Sequence, residues 1–489
     1  MANYIRRVRV VGLFHQENEL VVDFEQTINC IYGVNGTGKT VLINLIVNAL
    51  RVNATELLSA PFESITILTA AEGKRQPETF LTVSKFEDEL QYVFHIDCKL
   101  DADSPVGFEQ CQEFRSGITY IPSFGSHRRR SLRQLAMPFD DDQVLVSADD
   151  LWNVINQHVS LTYVPLLRHS SSNDNHMSSD DSTRFRFATG DDNGNEDPND
   201  RVLKGLQKEF SKRYASAQSD IARRLESLSS IIFEKLFLSE QTAEETSGAQ
   251  QFVADFIQKG KTDEDSDKVE SVVSQIRDLH LGIPESNIRN HYKTWFGMQK
   301  ELLSANKEYQ AMQSAGATYS ELERDKVLQS WSAAYFNILA TSRVYEKLED
   351  AIQEIQKVFL SKQLVLSPFN RFASEVNYFL SGGKSFSFDD SGQFQFMSYG
   401  QELDITDLSS GEKHLVAILG RVCFSSFAVT STFIADEPEL SLHLEWQREI
   451  LPAIKRLSPN IQIIVATHAP AIISNEANKI DIEECYRNG

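Results

Sequence analysis

The sequence predicts an α/β nucleotide-binding domain that is split into two lobes by an inserted α-helical bundle or short coiled coil. The first observation is a buried strand, a glycine-rich loop and an amphipathic helix, which follow one another in residues 27–52. The second is the return of strand patterns, with a pair of acidic residues after an apolar run, in residues 366–489. The third is the stretch between them, which is charged, poor in Pro and Gly, and helical in its apolar spacing.

The predicted segments follow these changes of pattern. Tyr4–Phe14 and Glu19–Phe24 have the character of two antiparallel strands, and the first of them is expected at a sheet edge. A later run of Ser, Asn, Asp and Gly lacks the apolar side chains needed for a core, so it is predicted to be a flexible low-complexity loop. The predicted first lobe, loop, helical insertion and second lobe are residues 1–168, 169–200, 201–365 and 366–489.

Residues 33–40 match the GxxxxGK[ST] phosphate-loop pattern. Glycines allow backbone N–H groups to approach phosphate oxygens, and the N-terminus of the following helix favours negative charge. Lys39 supplies a positive charge for the β- and γ-phosphates, and the Thr40 hydroxyl is a ligand for Mg²⁺. The predicted nucleotide-binding residues of this loop are Gly33, Asn35, Gly36, Gly38, Lys39 and Thr40.

An acidic pair follows a strongly apolar strand, Thr432–Ala435. Asp436 at the end of such a strand is placed to hold hydrated Mg²⁺, and Glu437 to orient and deprotonate a water molecule. Paired carboxylates alone are weak evidence for a site. Their position after a buried strand predicts that Asp436 is a metal ligand and Glu437 a catalytic residue.

A second group of motifs flanks this pair. Ser409, Gly411 and Glu412 have the pattern of a helix start, with a serine cap and an acidic first turn. Taken alone, this is an ordinary capped helix. Another buried strand, Ile463–Ala466, leads to His468.

The composition narrows the class of protein. With 41% apolar and 24% charged residues, the chain is expected to be globular, and no apolar stretch approaches the roughly 18 residues of a membrane span. Five scattered cysteines without a CxxC spacing favour a reduced, cytoplasmic protein. A net charge of −21 disfavours bulk nucleic-acid binding and leaves direct binding open only through a concentrated patch. The candidate patch is Arg128, Arg129, Arg130 and Arg133.

Taken together, these motifs resemble those of ABC-type ATPases. The resemblance assigns Ser409, Gly411 and Glu412 to the signature motif, which in that fold binds the γ-phosphate held by the phosphate loop of another subunit. It also makes His468 a catalytic switch residue that senses the γ-phosphate. The resemblance therefore implies ATP and Mg²⁺ as cofactors. It also implies a homo-oligomer that contains at least two copies of the chain, with a higher oligomer expected.

The opening strands and the helical insertion resemble the SMC and RecF group within these ATPases. The segment from Asp436 to His443 resembles the branch of OLD-family and other prokaryotic defence ATPases. The layout is most similar to the AriA family, the ATPase subunits of the PARIS anti-phage system. This implies a scaffold that holds a separately encoded Toprim-type nuclease, AriB, and releases it when a phage-encoded trigger protein is sensed. Because 21 residues follow His468, no nuclease domain is expected after the ATPase.

Several alternatives stay open at this stage. The PtuA family of the Septu system pairs a similar ATPase with an HNH nuclease, and a RecF-like DNA-repair ATPase would clamp DNA. A nucleotide-binding module without catalysis is a third alternative. Acidic DNA mimics are among the phage triggers, which gives the arginine patch at residues 128–133 a sensing role as an alternative to a solvated loop. Gln157 is the candidate for the metal-coordinating glutamine of the fold, with Tyr120–Pro122 and Tyr163–Pro165 as remnants of its loop.

Overall fold

The computed structural model describes residues 3–15, 19–71, 76–86, 89–95, 119–120, 148–164, 198–236, 243–262, 266–315, 319–425, 431–473 and 476–487. The chain divides into two compact units. The first contains Met1–Lys212 and Pro368–Gly489, and the second is Arg213–Ser367. The helical insertion predicted from the sequence began at residue 201, whereas the division falls twelve residues later, because Leu206 and Phe210 pack within the first unit.

Strands and helices are both present in the described parts of residues 3–164 and 380–487, whereas the described residues between 198 and 379 form long helices without strands. The strands of the described ranges are β1 (Asn3–Val11), β2 (Glu19–Asp23), β3 (Ile28–Tyr32), β4 (Ser64–Ala71), β5 (Glu78–Phe86), β6 (Glu89–Phe94), β7 (Thr119–Tyr120), β8 (Ser160–Val164), β9 (Lys384–Phe388), β10 (Phe394–Ser398), β11 (Gln401–Leu403), β12 (Ser431–Asp436), β13 (Gln462–Ala466), β14 (Asn478–Asp481) and β15 (Tyr486–Arg487). The helices are α1 (Lys39–Arg51), α2 (Ala54–Ser59), α3 (Ala148–His158), α4 (Pro198–Leu236), α5 (Ala243–Lys259), α6 (Ser266–Asp278), α7 (Glu285–Ala315), α8 (Glu321–Phe379), α9 (Ser410–Ser425) and α10 (Leu444–Leu457).

A parallel sheet of five strands lies at the centre of the first unit. Its order is β14-β3-β13-β12-β8, and every pair of neighbours in it is parallel. All five residues of β13 are buried, as expected for a strand covered on both faces. Since the strands run the same way, their carboxyl ends meet at one edge of the sheet. The α/β fold class predicted from the sequence is confirmed.

A second sheet in the same unit is antiparallel, in the order β15-β2-β1-β4-β5-β6-β7. The predicted pairing of the first two strands is confirmed, with Val8 opposite Val22. The expectation that the first strand lies at an edge is wrong, because β1 also pairs with β4 and places Val8 opposite Ile67. Val8 and Val10 are fully buried and Arg9 between them is exposed, so this part of β1 directs apolar side chains to the core and an arginine away from it.

Helix α1 packs against both sheets. Leu42, Ile43 and Ile46 are fully buried and belong to one apolar core with residues of β1, β4, β12 and β13. Apolar residues therefore surround most of the helix, which fixes its direction and the position of its N-terminus. That N-terminus begins at Lys39, directly after the glycine-rich loop.

A small sheet of three strands, β11-β10-β9, carries an aromatic cluster. The hairpin predicted around Asp389 is confirmed: Phe386 lies opposite Phe396, and Asp389 Oδ1 accepts hydrogen bonds from the turn. Phe372 of α8 and Phe210 of α4 pack against these rings, with their own centroids 4.7 Å apart. The cluster joins the two ends of the interrupted domain within the first unit.

The second unit has a core of its own between long helices. Trp295 and Tyr345 stack with ring centroids 4.0 Å apart, and Tyr292 and Ile338 are almost fully buried. Helix α8 passes from this unit into the first, and Pro368 stands at the division. Proline has no N–H group, so one helical hydrogen bond is missing at that point.

Some predictions fall on residues for which the structure gives no placement. The arginine patch, Arg128–Arg130 with Arg133, lies outside the described residues. Residues 169–197 of the predicted loop also lie outside them. The predicted end of that loop at residue 200 is wrong by three residues, because α4 already begins at Pro198. None of the helices in the described ranges has the length and apolar character needed to cross a bilayer.

Candidate functional site

Three strand ends converge at the carboxyl edge of the parallel sheet. Strand β13 lies between β3, which leads into the phosphate loop, and β12, which ends at Asp436. Asp436 is level with Ala466 of β13, and Ala466 is level with Ile31 of β3. Residues that follow these positions are therefore neighbours, although about 400 residues separate them in the sequence. Such an edge is where open α/β sheets bind ligands.

The phosphate loop has the backbone of an anion cradle. Gly38 has a φ of 96° and precedes α1, and Gly33 has a φ of 153°. A side chain at Gly33 would also meet Ile482 at 2.9 Å. No side chain in the described part of the protein caps the N-terminus of α1, so its first N–H groups are left for a ligand. Open space surrounds Gly36, and Asn35 is exposed beside it.

Lys39 is folded back into this loop. Its Nζ donates hydrogen bonds to the carbonyl oxygens of Gly33 at 2.8 Å and Val34 at 3.0 Å. Burial lowers the pKa of Lys39, while the nearby carboxylates of Glu437 and Asp436 act in the opposite direction. The ammonium group is thus desolvated and close to two negative charges, and an anion at the loop would complete its surroundings.

The acidic pair occupies two different environments. Asp436 is 4% exposed at the end of β12, whereas the Glu437 side chain is 18% exposed. Glu437 has a left-handed backbone, with a φ of 47°, and its N–H donates to Ala466 at 2.8 Å. A non-glycine residue in this conformation is strained, and the surrounding contacts must hold it there. The turn directs the Glu437 carboxylate toward His468, with Oε1 3.8 Å from Nε2.

The residues at this edge fit a nucleotide with Mg²⁺. The exposed Thr40 in the first turn of α1 offers a hydroxyl, and Asp436 a carboxylate, both hard oxygen ligands. The uncapped N–H groups of α1 and the buried Lys39 match the charge of a triphosphate. The structure therefore brings together the predicted residues Gly33, Asn35, Gly36, Gly38, Lys39, Thr40, Asp436, Glu437 and His468.

The predicted signature residues form the start of α9. Ser409 N–H donates to Glu412 at 2.8 Å, and Glu412 N–H to the Ser409 hydroxyl at 3.3 Å, which is a reciprocal capping box. Lys384 of β9 donates to both carboxylate oxygens of Glu412. Burial acts to raise the pKa of Glu412, but the hydrogen bonds from Lys384 and Ser409 outweigh it and lower this pKa.

Gly411 is required by a close backbone approach. A Cβ at this position would lie 2.6 Å from the carbonyl oxygen of Ser441, which follows the acidic pair in a turn with a φ of 67°. Among the described residues, no hydrogen bond or ion pair joins Ser409 or Gly411 to the phosphate loop of the same chain. Ser409 is exposed, and it remains accessible to a ligand held elsewhere.

The candidate glutamine does not join this edge. Gln157 lies in the last turn of α3, before the amino end of β8, and β8 is parallel to β12. It therefore stands at the opposite edge of the sheet from Asp436, so its proposed role is wrong. Tyr163, at the carboxyl end of β8, does lie on the correct side and donates from its hydroxyl to Asn44 of α1 at 3.0 Å.

Three residues that contact the site were not predicted as site residues from the sequence. Glu439 is buried two residues after Glu437 and accepts hydrogen bonds from the segment that contains His468. Phe14 lies beside the phosphate loop, with Cε2 3.1 Å from the point where a Cβ of Gly38 would stand. Tyr486 donates from its hydroxyl to the Thr37 carbonyl at 3.2 Å. Only Glu439 had a signal in the sequence, as a third carboxylate close to the acidic pair.

Two curated proteins are similar to parts of this chain. The Retron Vc95 probable ATPase of Vibrio cholerae serotype O1 biovar El Tor is 32% identical over 101 residues, which cover 18% of this chain and 20% of that protein. The Retron Ec83 probable ATPase of Escherichia coli is 24% identical over 157 residues, or 30% of this chain and 24% of that protein. The chain thus spans only about a quarter or less of the length of these relatives.

Among solved structures, the Smc head domain with an extended coiled coil from Pyrococcus furiosus aligns over 96% of this chain and 91% of its own, with a TM-score of 0.37 and 13% identity. A family match covers residues 28–474 and carries the description "AAA domain, putative AbiEii toxin, Type IV TA system". This match takes in the strand before the phosphate loop, the acidic pair and His468. The chain that forms this edge therefore belongs to the AAA-domain family of that description.

Proposed function

We propose that this protein binds and hydrolyses ATP with Mg²⁺, in sites shared between two copies of the chain. The observation that carries the proposal is the set of side chains at one sheet edge: the buried Lys39, the acidic pair and His468. Membership of an AAA-domain family supports it, as do two relatives named as probable ATPases. Bound ATP supplies the β–γ phosphoanhydride bond, and Thr40 with Asp436 would hold the Mg²⁺ that offsets its charge.

Each residue has a defined part in this reaction. Lys39 neutralises the β- and γ-phosphates, and the N–H groups at the start of α1 bind their oxygens. Glu437 orients a water molecule and accepts its proton, because its carboxylate is at the edge and partly exposed. His468, 3.8 Å from Glu437, is placed to sense the group that this water attacks.

The remaining half of the site would come from a second copy. Ser409, Gly411 and Glu412 make a capped helix start in which Ser409 is exposed, and among the described residues neither Ser409 nor Gly411 bonds to the phosphate loop of its own chain. An incoming γ-phosphate would meet the Ser409 hydroxyl and the N-terminus of α9. This arrangement requires a homo-oligomer, at least a dimer, in the nucleotide-bound state.

The biological role that we propose is that of a sensor and scaffold in an anti-phage defence complex. The support is the naming of relatives as retron ATPases, the toxin–antitoxin description of the family, and the resemblance of the sequence to defence ATPases. The protein would hold a separately encoded Toprim-type nuclease, as AriA holds AriB in PARIS, and release it when a phage protein such as a DNA mimic is sensed in the cytoplasm.

Two variants test the reaction. Lys39→Ala should abolish nucleotide binding, whereas Glu437→Gln should keep binding and lose at least about 100-fold in turnover, so that ATP-bound oligomers accumulate. Phosphate release, binding of a fluorescent ATP analogue and light scattering measure these properties. Lys208→Ala, an exposed lysine on α4, is the matched control. Wild-type turnover by Lys39→Ala would contradict the proposal.

A separate experiment addresses the partner. The tagged chain is purified from cells that also express its neighbouring genes, with and without phage infection, and the bound proteins are identified by mass spectrometry. A Toprim-type nuclease that leaves on infection supports the proposed role. An HNH nuclease would replace it with a Septu-like role, and the absence of any nuclease would contradict the scaffold.

A further inference from the structure

Glu439 is a buried carboxylate with no part in the proposed reaction. It connects the turn that follows the acidic pair to the segment that contains His468. Glu439 lies in the turn between β12 and α10 and is 6% exposed. Its Oε1 accepts hydrogen bonds from the hydroxyl of Thr467 and from the N–H groups of His468 at 3.1 Å and Ala469 at 3.2 Å. One oxygen atom thus holds three consecutive residues that follow β13.

The same turn is held from its other side by α9. The imidazole Nε2 of His414 lies 3.2 Å from the Pro438 carbonyl oxygen and donates to it, and His414 is buried. Three residues earlier, Gly411 leaves room for the Ser441 carbonyl. The turn from Glu437 to His443 is therefore fixed between the start of α9 and the segment that contains His468.

The two carboxylate oxygens of Glu439 differ in their hydrogen bonds. Oε2 has no hydrogen-bond partner among the described residues, so the contacts of the carboxylate are concentrated on Oε1. Removing this acceptor would leave the N–H groups of His468 and Ala469 without their hydrogen-bond partner. The backbone of His468 would then lose its fixed distance from Glu437.

We propose that Glu439 is a positioning residue: it sets the backbone of His468 relative to Glu437 and links both to the start of α9. A displacement of α9 by a nucleotide on the opposite copy is then passed through the turn to His468. This inference rests on the proposed function, because it assumes that the edge hydrolyses ATP. Glu439 itself touches no reacting group.

The first test compares two substitutions of one residue. Glu439→Met keeps the length of the side chain and removes the acceptor, so kcat should fall by between about 10- and 100-fold. The affinity for a fluorescent ATP analogue should stay within about twofold, because the phosphate loop is untouched. Glu439→Gln keeps an Oε1 acceptor and should retain most of the turnover. Glu402→Met, on the exposed surface of β11, controls for the loss of one charge.

The second test asks whether Glu439 acts through His468. In a double-mutant cycle, Glu439→Met should add little to the loss caused by His468→Ala. Equal factors in the two backgrounds would overturn the proposal, as would equal defects in Glu439→Met and Glu439→Gln. If Glu439→Met does not fold, Thr467→Val replaces it, and wild-type kcat in that variant also overturns the idea.

These outcomes are distinct from failure of the proposed function. If the wild-type protein shows no ATP turnover that depends on Lys39, the reaction itself is misassigned. If turnover depends on Lys39 but Glu439→Met keeps the wild-type kcat, only the positioning role is wrong.

Discussion

Two charged clusters in this protein have similar distances and very different surroundings. At the start of α9, Lys384 and Glu412 are 2.8 Å apart, with side chains 27% and 9% exposed. On the helical unit, Arg289 and Glu270 are also 2.8 Å apart, but their side chains are 41% and 60% exposed. In both clusters, hydrogen bonds from the basic partner lower the pKa of the carboxyl group. Burial is what distinguishes them.

Two ion pairs with equal distances can therefore contribute differently to the free energy of unfolding. A buried carboxylate cannot recover its hydration when its partner is removed, so the whole cost of an uncompensated charge falls on the folded state. An exposed carboxylate exchanges its partner for water and salt ions with little change. The cluster at α9 should therefore control the stability of the first unit, and the cluster on the helices should not control that of the second.

The largest effect is expected from Lys384→Met. This change leaves Glu412 buried without its main partner, so the free energy of unfolding of the first unit should fall by about 3 kcal/mol. Urea unfolding, followed by circular dichroism, measures the loss. A Lys384→Met, Glu412→Met double variant should recover part of it, because no charge then remains buried. A single variant as stable as the wild type would remove the distinction between the clusters.

An intermediate effect is expected from pH. The pKa of Glu412 is lowered from its usual 4.5 in the folded protein, so the carboxylate adds stability above about pH 4.5, and that stability is lost as the pH falls through the folded-state pKa. The difference in unfolding free energy between the wild type and Glu412→Gln should thus shrink on acidification. Unfolding curves at about pH 7, 5 and 3 test this. A difference that grows toward low pH would reverse the sign of the argument.

The smallest effect is expected from Arg289→Ala. Glu270 is exposed and Glu285 is half-exposed, so these ion pairs compete with water and salt. The thermal unfolding midpoint should stay within the error of measurement at physiological salt. A clear fall in that midpoint would show that the helical unit depends on its surface ion pairs as the first unit depends on Glu412.

The sequence predicted those parts of the fold that are encoded locally. The glycine-rich loop with its helix, the hairpin around Asp389 and the strand before Asp436 each show their character within about a dozen residues. The order of strands in a sheet has no such local signature, because it depends on partners far along the chain. This is why β1 was expected at an edge, and why Gln157 was assigned to the wrong side of the sheet.

The site shows the same limit. Lys39, Asp436 and Glu437 were found because their residue types and spacing have a direct chemical reading. The contacts of Glu439 exist only because β12 and β13 are neighbours, and adjacency of these strands is not visible in the residues of either one. A carboxylate that orients another residue, and touches no ligand, has no motif of its own.

The strand before the phosphate loop has its two neighbours at the far end of the chain. β3 is residues 28–32, and it is flanked by β13 at 462–466 and β14 at 478–481. During translation, this early strand must wait with both edges open while the ribosome adds more than four hundred residues, including the whole helical unit. Domains fold as units when their residues are available, so the helices can form first and the ATP site last. A nascent chain cannot complete the sheet around β3 until both β13 and β14 have been synthesised.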